Sequence, residues 1–318
     1  MKKSIAYIIN DSEITAGTRG ASLGPGAIRV VDDNLRKYLF SKYPIHYVPT
    51  VNFLLDKPTP YPHGKRADGL VVIYRNLVDV ITAQDKENDF LLVVAGDHGA
   101  AGGTVSGLKL ANPDKKLGVL WIDAHADIHS PYTTPSGNMH GMPVAAILNE
   151  DNLDRKHNDI DSETKRHWND LKNIGGIAPK VAPEDFAYIG LRDCEEEELY
   201  IMDKLGMKNI SVDELREVGV ESILSRLDEK FAFCDEVYVS FDVDSMDPEL
   251  TSKGTGTPVP HGLSPAEAKQ ILQHFAKSPK VKCIEFVEVN PCLDEKVNRM
   301  AEIAYDLIAT VVETVENR

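Results

Sequence analysis

Long apolar runs are missing from this chain. The stretch Met1-Lys-Lys-Ser-Ile-Ala-Tyr-Ile-Ile9 is too short for a membrane span or a signal-peptide core, and no small-residue cleavage site follows it. We expect no membrane segment and no leader there, but a first core strand. Cysteine is scarce: Cys194, Cys234, Cys283 and Cys292 share no short paired spacing, so zinc ribbons and dithiol redox motifs are disfavoured. Reduced thiols in a cytoplasmic protein are the simplest reading. Positive charge is the minority sign, 35 Lys and Arg against 50 Asp and Glu, for a net charge of −15. That balance argues against a nucleic-acid surface and favours a small cationic substrate, although part of it belongs to the cluster described next. No Pro/Gly/Ser-rich linker and no low-complexity segment interrupts the 318 residues, so a single domain is expected over 1–318. The hydrophobic content of 42% and charged content of 27% are those of a globular protein.

What the chain does have is metal-type ligands at the ends of apolar strands. Leu117-Gly-Val-Leu-Trp-Ile122 runs directly into Asp123-Ala-His-Ala-Asp127, Val237-Tyr-Val-Ser-Phe241 runs into Asp242-Val-Asp244, and Leu91-Leu-Val-Val94 leads to Asp97-His98. Side chains at i, i+2 and i+4 of an extended segment share one face, so each packet can converge on a point. One Asp after a strand is ordinarily a turn residue or helix cap. Three such packets together are poorly explained that way. Asp123, Asp127, Asp242 and Asp244 would carry four negative charges, which repel one another unless cations neutralise them. Two divalent ions would balance that charge. No cysteine lies near any packet, and carboxylates with a minority of imidazoles suit Mn(II), then Co(II), Fe(II), Ni(II) or Zn(II). Two such ions about 3.5 Å apart would hold a bridging water, acidify it and present hydroxide to an electrophile. That is hydrolytic chemistry.

Helical signals complete the architecture. Ser264-Pro-Ala-Glu267 is a capping box with proline at the first helical position, opening a helix with Ala268, Ile271, Leu272 and Phe275 on one face. A final helix is expected over roughly 294–316, with Val297, Met300, Ala301, Ala304, Leu307, Ile308, Val311 and Val315 at helical spacing. Strands apolar on both faces imply an α/β fold, a mostly parallel sheet between helices. Ligands of such sheets bind beyond the carboxyl ends of the strands, where the three packets lie.

Taken in order, Gly24-Pro-Gly-Ala-Ile-Arg29, Gly96-Asp-His98, Asp123-Ala-His-Ala-Asp127, Ser136-Gly-Asn-Met-His-Gly141, Ser240-Phe-Asp-Val-Asp-Ser-Met-Asp-Pro248, Gly256-Thr-Pro258 and Glu288-Val-Asn-Pro291 resemble the ureohydrolase superfamily. The loop Thr133-Thr-Pro-Ser-Gly-Asn-Met-His-Gly141 is most similar to its arginase branch. The resemblance implies a three-layer α/β/α fold and two Mn(II) ions per subunit. One would be held by His98, Asp123, Asp127 and Asp242, the other by His125, Asp123, Asp242 and Asp244, with Asp123 and Asp242 bridging. It further implies hydrolysis of L-arginine to L-ornithine and urea by a metal-bridging hydroxide. In that scheme Asp127 relays the hydroxide proton, His140 protonates the leaving amine, and Glu288 and Thr257 meet the guanidinium. A homo-oligomer, most simply a trimer, is also implied.

The amino-acid end departs from the family pattern. Ser136 and Asn138 match positions that hold the α-carboxylate, but His129 stands where Asn is common. Glu195 replaces the Asp that meets the α-ammonium, and Glu198 falls at a second acidic position. Agmatine, guanidinobutyrate or another guanidino compound is therefore the alternative substrate. Residues 151–185 are polar and carry both charges densely; we expect a solvated insertion with one amphipathic helix around Trp168, Leu171 and Ile174, with a lid or partner surface as the alternative.

Overall fold

Runs rich in Val, Ile, Leu and aromatics form the strands β1 (Ile5–Asn10), β2 (Ile45–Tyr47), β3 (Phe90–Ala95), β4 (Leu117–Ile122), β5 (Phe186–Ile189), β6 (Asn209–Ile210), β7 (Glu236–Asp242) and β8 (Val281–Val287). This computed structural model describes residues 3–318; Met1 and Lys2 lie outside the described residues, so the expected first strand is seen from Ile5 onward. The strands join in one sheet, in the order β2-β1-β3-β8-β7-β4-β5-β6. Every pairing is parallel, so the mostly parallel sheet expected from sequence is parallel throughout. Both faces are covered, as all-parallel sheets require.

The helices are α1 (Gly24–Leu35), α2 (Ala67–Glu87), α3 (Ala101–Ala111), α4 (Pro143–Leu148), α5 (Ser162–Lys172), α6 (Glu196–Lys204), α7 (Val212–Val218), α8 (Val220–Lys230), α9 (Pro265–Lys277) and α10 (Arg299–Glu316). Alternation along the strands divides the core into two. Ile5, Tyr7 and Ile9 of β1 face the cluster built by α1 and α7 to α10, whereas Ala6 and Ile8 face the cluster built by α2 to α6. The result is a three-layer α/β/α architecture.

Local signals explain the helix starts. The Ser264 capping box forms as expected: Glu267 N–H donates to Ser264 Oγ at 3.2 Å, and Ser264 N–H donates to Glu267 Oε2 at 2.7 Å. The last helix starts at Arg299 and not near 294, because Val297 and Asn298 adopt left-handed backbone and Asp294 accepts Met300 N–H at 2.7 Å. Val297, expected on the buried face, is 86% exposed. The 151–185 segment is corrected too. Its helix, α5, is capped by Asp161 and ends at Lys172, leaving Ile174 in the following turn. Trp168 and Leu171 are buried, and the Trp168 indole and the Lys172 ammonium both donate to Asp151 Oδ1 at 2.6 Å. The segment is thus packed against the α2–α6 layer and is less solvated than its composition implies.

Candidate metal centre and active site

The central strands β3, β8, β7 and β4 are consecutive neighbours, and each delivers a chemical group past its carboxyl end. His98 follows β3, Glu288 follows β8, Asp242 ends β7 with Asp244 beyond it, and Asp123, His125 and Asp127 follow β4. Asp127 and Glu288 both hold left-handed backbone, at φ 51° and 66°. Non-glycine residues take that conformation seldom and at an energetic cost, which turns these two carboxylates inward. Gly96 permits a close approach, because a Cβ there would run into the carbonyl oxygen of Ser12.

Two groups of donors result. His98 Nδ1 is 3.0 Å from Asp123 Oδ2, 3.1 Å from Asp127 Oδ2 and 3.2 Å from Asp242 Oδ2. His125 Nδ1 is 3.1 Å from Asp244 Oδ2 and 3.5 Å from Asp123 Oδ1. Asp123 therefore offers one oxygen to each group. Asp242 Oδ1 accepts Asp244 N–H at 2.8 Å, which leaves Oδ2 as the oxygen it can share. His98 Nδ1 is buried and points at a spot ringed by the Asp123, Asp127 and Asp242 carboxylates without a well-aligned hydrogen bond to any of them. The donor set and that orphaned nitrogen fit divalent cations.

Neighbouring groups orient these ligands. Ser240 Oγ lies 2.6 Å from His98 Nε2, and Trp121 stacks on the same imidazole at 4.1 Å while its indole donates to Asp123 Oδ2 at 3.0 Å. Such contacts fix ring orientation and tautomer. Asp193 Oδ2 lies 3.6 Å from His125 Nε2.

Electrostatics give the same picture. Burial and then repulsion by Asp244 and Asp123 push Asp242 well above the carboxylate range. Burial, then Asp123, raises Asp127 to about 6, and burial, then Asp97, raises Glu288 to about 8. Asp123 alone is held low, because its interactions with His125 and His98 outweigh its burial. Burial, then the charges of His125 and His98, lowers His140 to about 4. The protein by itself resists ionising this cluster; bound cations would reverse that.

Above the cluster is a cavity of about 280 Å³. All the residues singled out from sequence line it except Asp123, which is buried beneath. His140 Nδ1 lies 4.0 Å from Glu288 Oε1, and Glu288 Oε1 accepts His98 N–H at 2.8 Å. Thr257 donates to Asp244 Oδ2 at 3.2 Å. At the other end His129 Nε2 sits 3.2 Å from Glu195 Oε2, with Nδ1 3.1 Å from Thr133 Oγ1. Glu198 is buried, accepting N–H groups of Ile128 and Glu195, each at 3.2 Å. Ser136 and Asn138 stand on the rim, the Ser136 hydroxyl oxygen accepting Asn138 N–H at 3.1 Å. No residue of 151–185 lines the cavity, so that segment is not a lid in this structure. Sequence reasoning missed Asp193, which lines the cavity although it follows β5 by only four positions, the same strand-end signature as the others.

Comparison with known proteins identifies the family. The Arginase family model matches residues 9–313. Arginase of Bacillus subtilis (strain 168) is 30% identical over 312 residues, with 98% of each chain covered, and arginase of Brevibacillus brevis is 33% identical over 326 residues, again with 98% of each covered. The crystal structure of arginase from Bacillus subtilis subsp. subtilis str. 168 superposes with a TM-score of 0.81 at 29% identity, covering 99% of both chains. No helix among the described residues is long and apolar enough to cross a membrane. Similarity along almost the whole chain, over a sheet whose central strand ends gather these carboxylates and imidazoles, means that the chain belongs to the arginase family and is a hydrolase of linear amidine carbon–nitrogen bonds.

Proposed function

We propose that the chain hydrolyses L-arginine to L-ornithine and urea, with two Mn(II) ions per subunit held by His98, Asp123, Asp127, His125, Asp242 and Asp244. The observation that carries the reading is the pair of ligand groups sharing Asp123 at the floor of a cavity that also presents Glu288. Cations bound there supply an acidified water as nucleophile. Glu288 faces the guanidinium, whose charge would draw its raised pKa back down and whose planar donors match two carboxylate oxygens. Asp127 takes up the proton released by the attacking water. His140, neutral at rest because of its low pKa, accepts a proton and passes it to the departing amine. All 318 residues would form one catalytic domain, acting as a cytoplasmic homo-oligomer, a trimer by preference.

A second reading is favoured by one observation. Glu195 Oε2 is engaged by His129, at the end of the cavity where an α-ammonium would be recognised. Agmatine or guanidinobutyrate would not need that contact. Comparing kcat/KM for arginine, agmatine and 4-guanidinobutyrate, with metal content measured in parallel, decides between them. A large preference for either compound lacking the α-amino acid refutes the arginine assignment.

A further inference from the structure

An arginine taken out of solvent is ordinarily paired with an acid. Arg192, just past β5, is partly buried and is not: among the described residues no carboxylate lies within 4.0 Å of its guanidinium. Its five N–H donors meet five main-chain carbonyls instead. Nε donates to Pro260 O at 2.9 Å, Nη1 to Gly190 O at 2.9 Å and Ser245 O at 3.3 Å, and Nη2 to Asp244 O and Val259 O at 2.7 Å each. One side chain thus draws together the end of β5, the turn after β7 and the loop 257–262. Gly262 keeps room for it, since a Cβ there would lie 2.6 Å from Nη2.

These contacts surround one of the two ligand groups. Asp244, whose carbonyl Arg192 holds, turns Oδ2 toward His125 Nδ1 at 3.1 Å. The Arg192 N–H donates to Ala124 O at 2.9 Å, between the ligands Asp123 and His125, and Ala124 N–H donates to Asp244 Oδ1 at 3.3 Å. No hydrogen bond of the Arg192 side chain reaches His98, Asp127 or Asp242, where Ser240 and Trp121 do the orienting. We infer that Arg192 is a positioning residue for the His125–Asp244 ion alone: it fastens the Asp244 main chain so that the carboxylate stays aimed at His125, and the two ions have independent supports. The inference rests on the two-ion reading and says how the two sites differ. A guanidinium repels a nearby cation, so alignment and not charge must supply the benefit.

Metal binding tests this without recourse to turnover. Arg192→Lys keeps the charge but offers three donors in place of a planar five-donor fork, and Arg192→Met removes both. Mn(II) calorimetry on the metal-free proteins should show one Kd weakened by about 10- to 100-fold in each variant, the range for losing a group that orients a ligand, with the other little changed. In a His125→Asn background, which keeps the His98 group, Arg192→Lys should leave the remaining Kd nearly as it was; in a His98→Asn background it should weaken it by the same factor as in the wild type. Arg192→Lys is the deciding variant should Arg192→Met not fold. Equal weakening of both ions would show a merely structural role and overturn the proposal, as would no weakening, or tighter binding in Arg192→Met, which would mean that charge repulsion outweighs alignment. A wild type that binds fewer than two ions would refute the dinuclear reading and the proposal with it. Failure to hydrolyse any guanidine would refute only the proposed reaction, since no step of the test uses it.

Discussion

Chelating the divalent ions should destabilise the protein, and by more at pH 8 than at pH 6. A carboxyl with a folded pKa above its unfolded value holds its proton more tightly when folded, so the stability present at low pH is lost as pH rises toward the folded value. In the metal-free protein that window runs from 3.8 to about 6 for Asp127 and from 4.5 to about 8 for Glu288. Each group costs about 1.4 kcal/mol per pH unit within its window, so Glu288 alone removes about 3 kcal/mol between pH 6 and 8. Asp242, also raised, acts in the same direction. Bound cations neutralise the cluster and, at 100-fold excess over Kd, add about 2.7 kcal/mol per site. For 318 residues 1 kcal/mol shifts Tm by about 1.5 °C. Scanning calorimetry with excess Mn(II) or with a chelator should therefore show a gap of about 8 °C at pH 6, widening by about 4 °C at pH 8. A gap that is absent, or that narrows as pH rises, would refute the reasoning that these carboxylates form one cation-neutralised cluster.

Four substitutions extend the predictions. Asp242→Ala removes a ligand facing the His98 group and should abolish dinuclear binding and activity, whereas His125→Asn should leave one ion near normal with residual turnover; elemental analysis beside a urea assay compares them. His140→Asn should retain both metals yet lose about 100-fold or more in kcat, as for loss of a general acid, and depletion of metal in this variant would contradict its assigned role. Tyr238→Phe strips the hydroxyl that donates to the fully buried Glu285 at 2.8 Å and should lower stability by about 1–3 kcal/mol in denaturant titration. An unchanged midpoint would mean that Glu285 is paired by some other group.

The legible parts of the site were those written in local geometry. Asp123, His125 and Asp127 alternate after an apolar strand, and alternation puts them on one side whatever the rest of the chain does. The Ser264 capping box is local in the same sense, its partners being three residues apart. The last helix starts five residues later than its periodicity predicts because Asp294, contacting Met300 through a turn, overrides a periodic pattern that continues through Val297. Segment 151–185 reads as solvated because its charges outnumber its apolar residues, yet Trp168 and Leu171 suffice to anchor it.

The sequence by itself thus determined the kind of chemistry, the ligand types and the α/β class, since residue type and strand periodicity are covalent properties carried by neighbouring positions. Tertiary structure decided which groups meet. Only the sheet order brings β3, β8, β7 and β4 side by side, so that His98 faces Asp123 and Asp242. Only backbone pairing across distant segments sets Lys65 against Asn138, and only strand register places Ser240 behind His98. Those contacts join residues about 25 to 145 positions apart, and no spacing rule reaches that far because the intervening chain can close such loops in many ways.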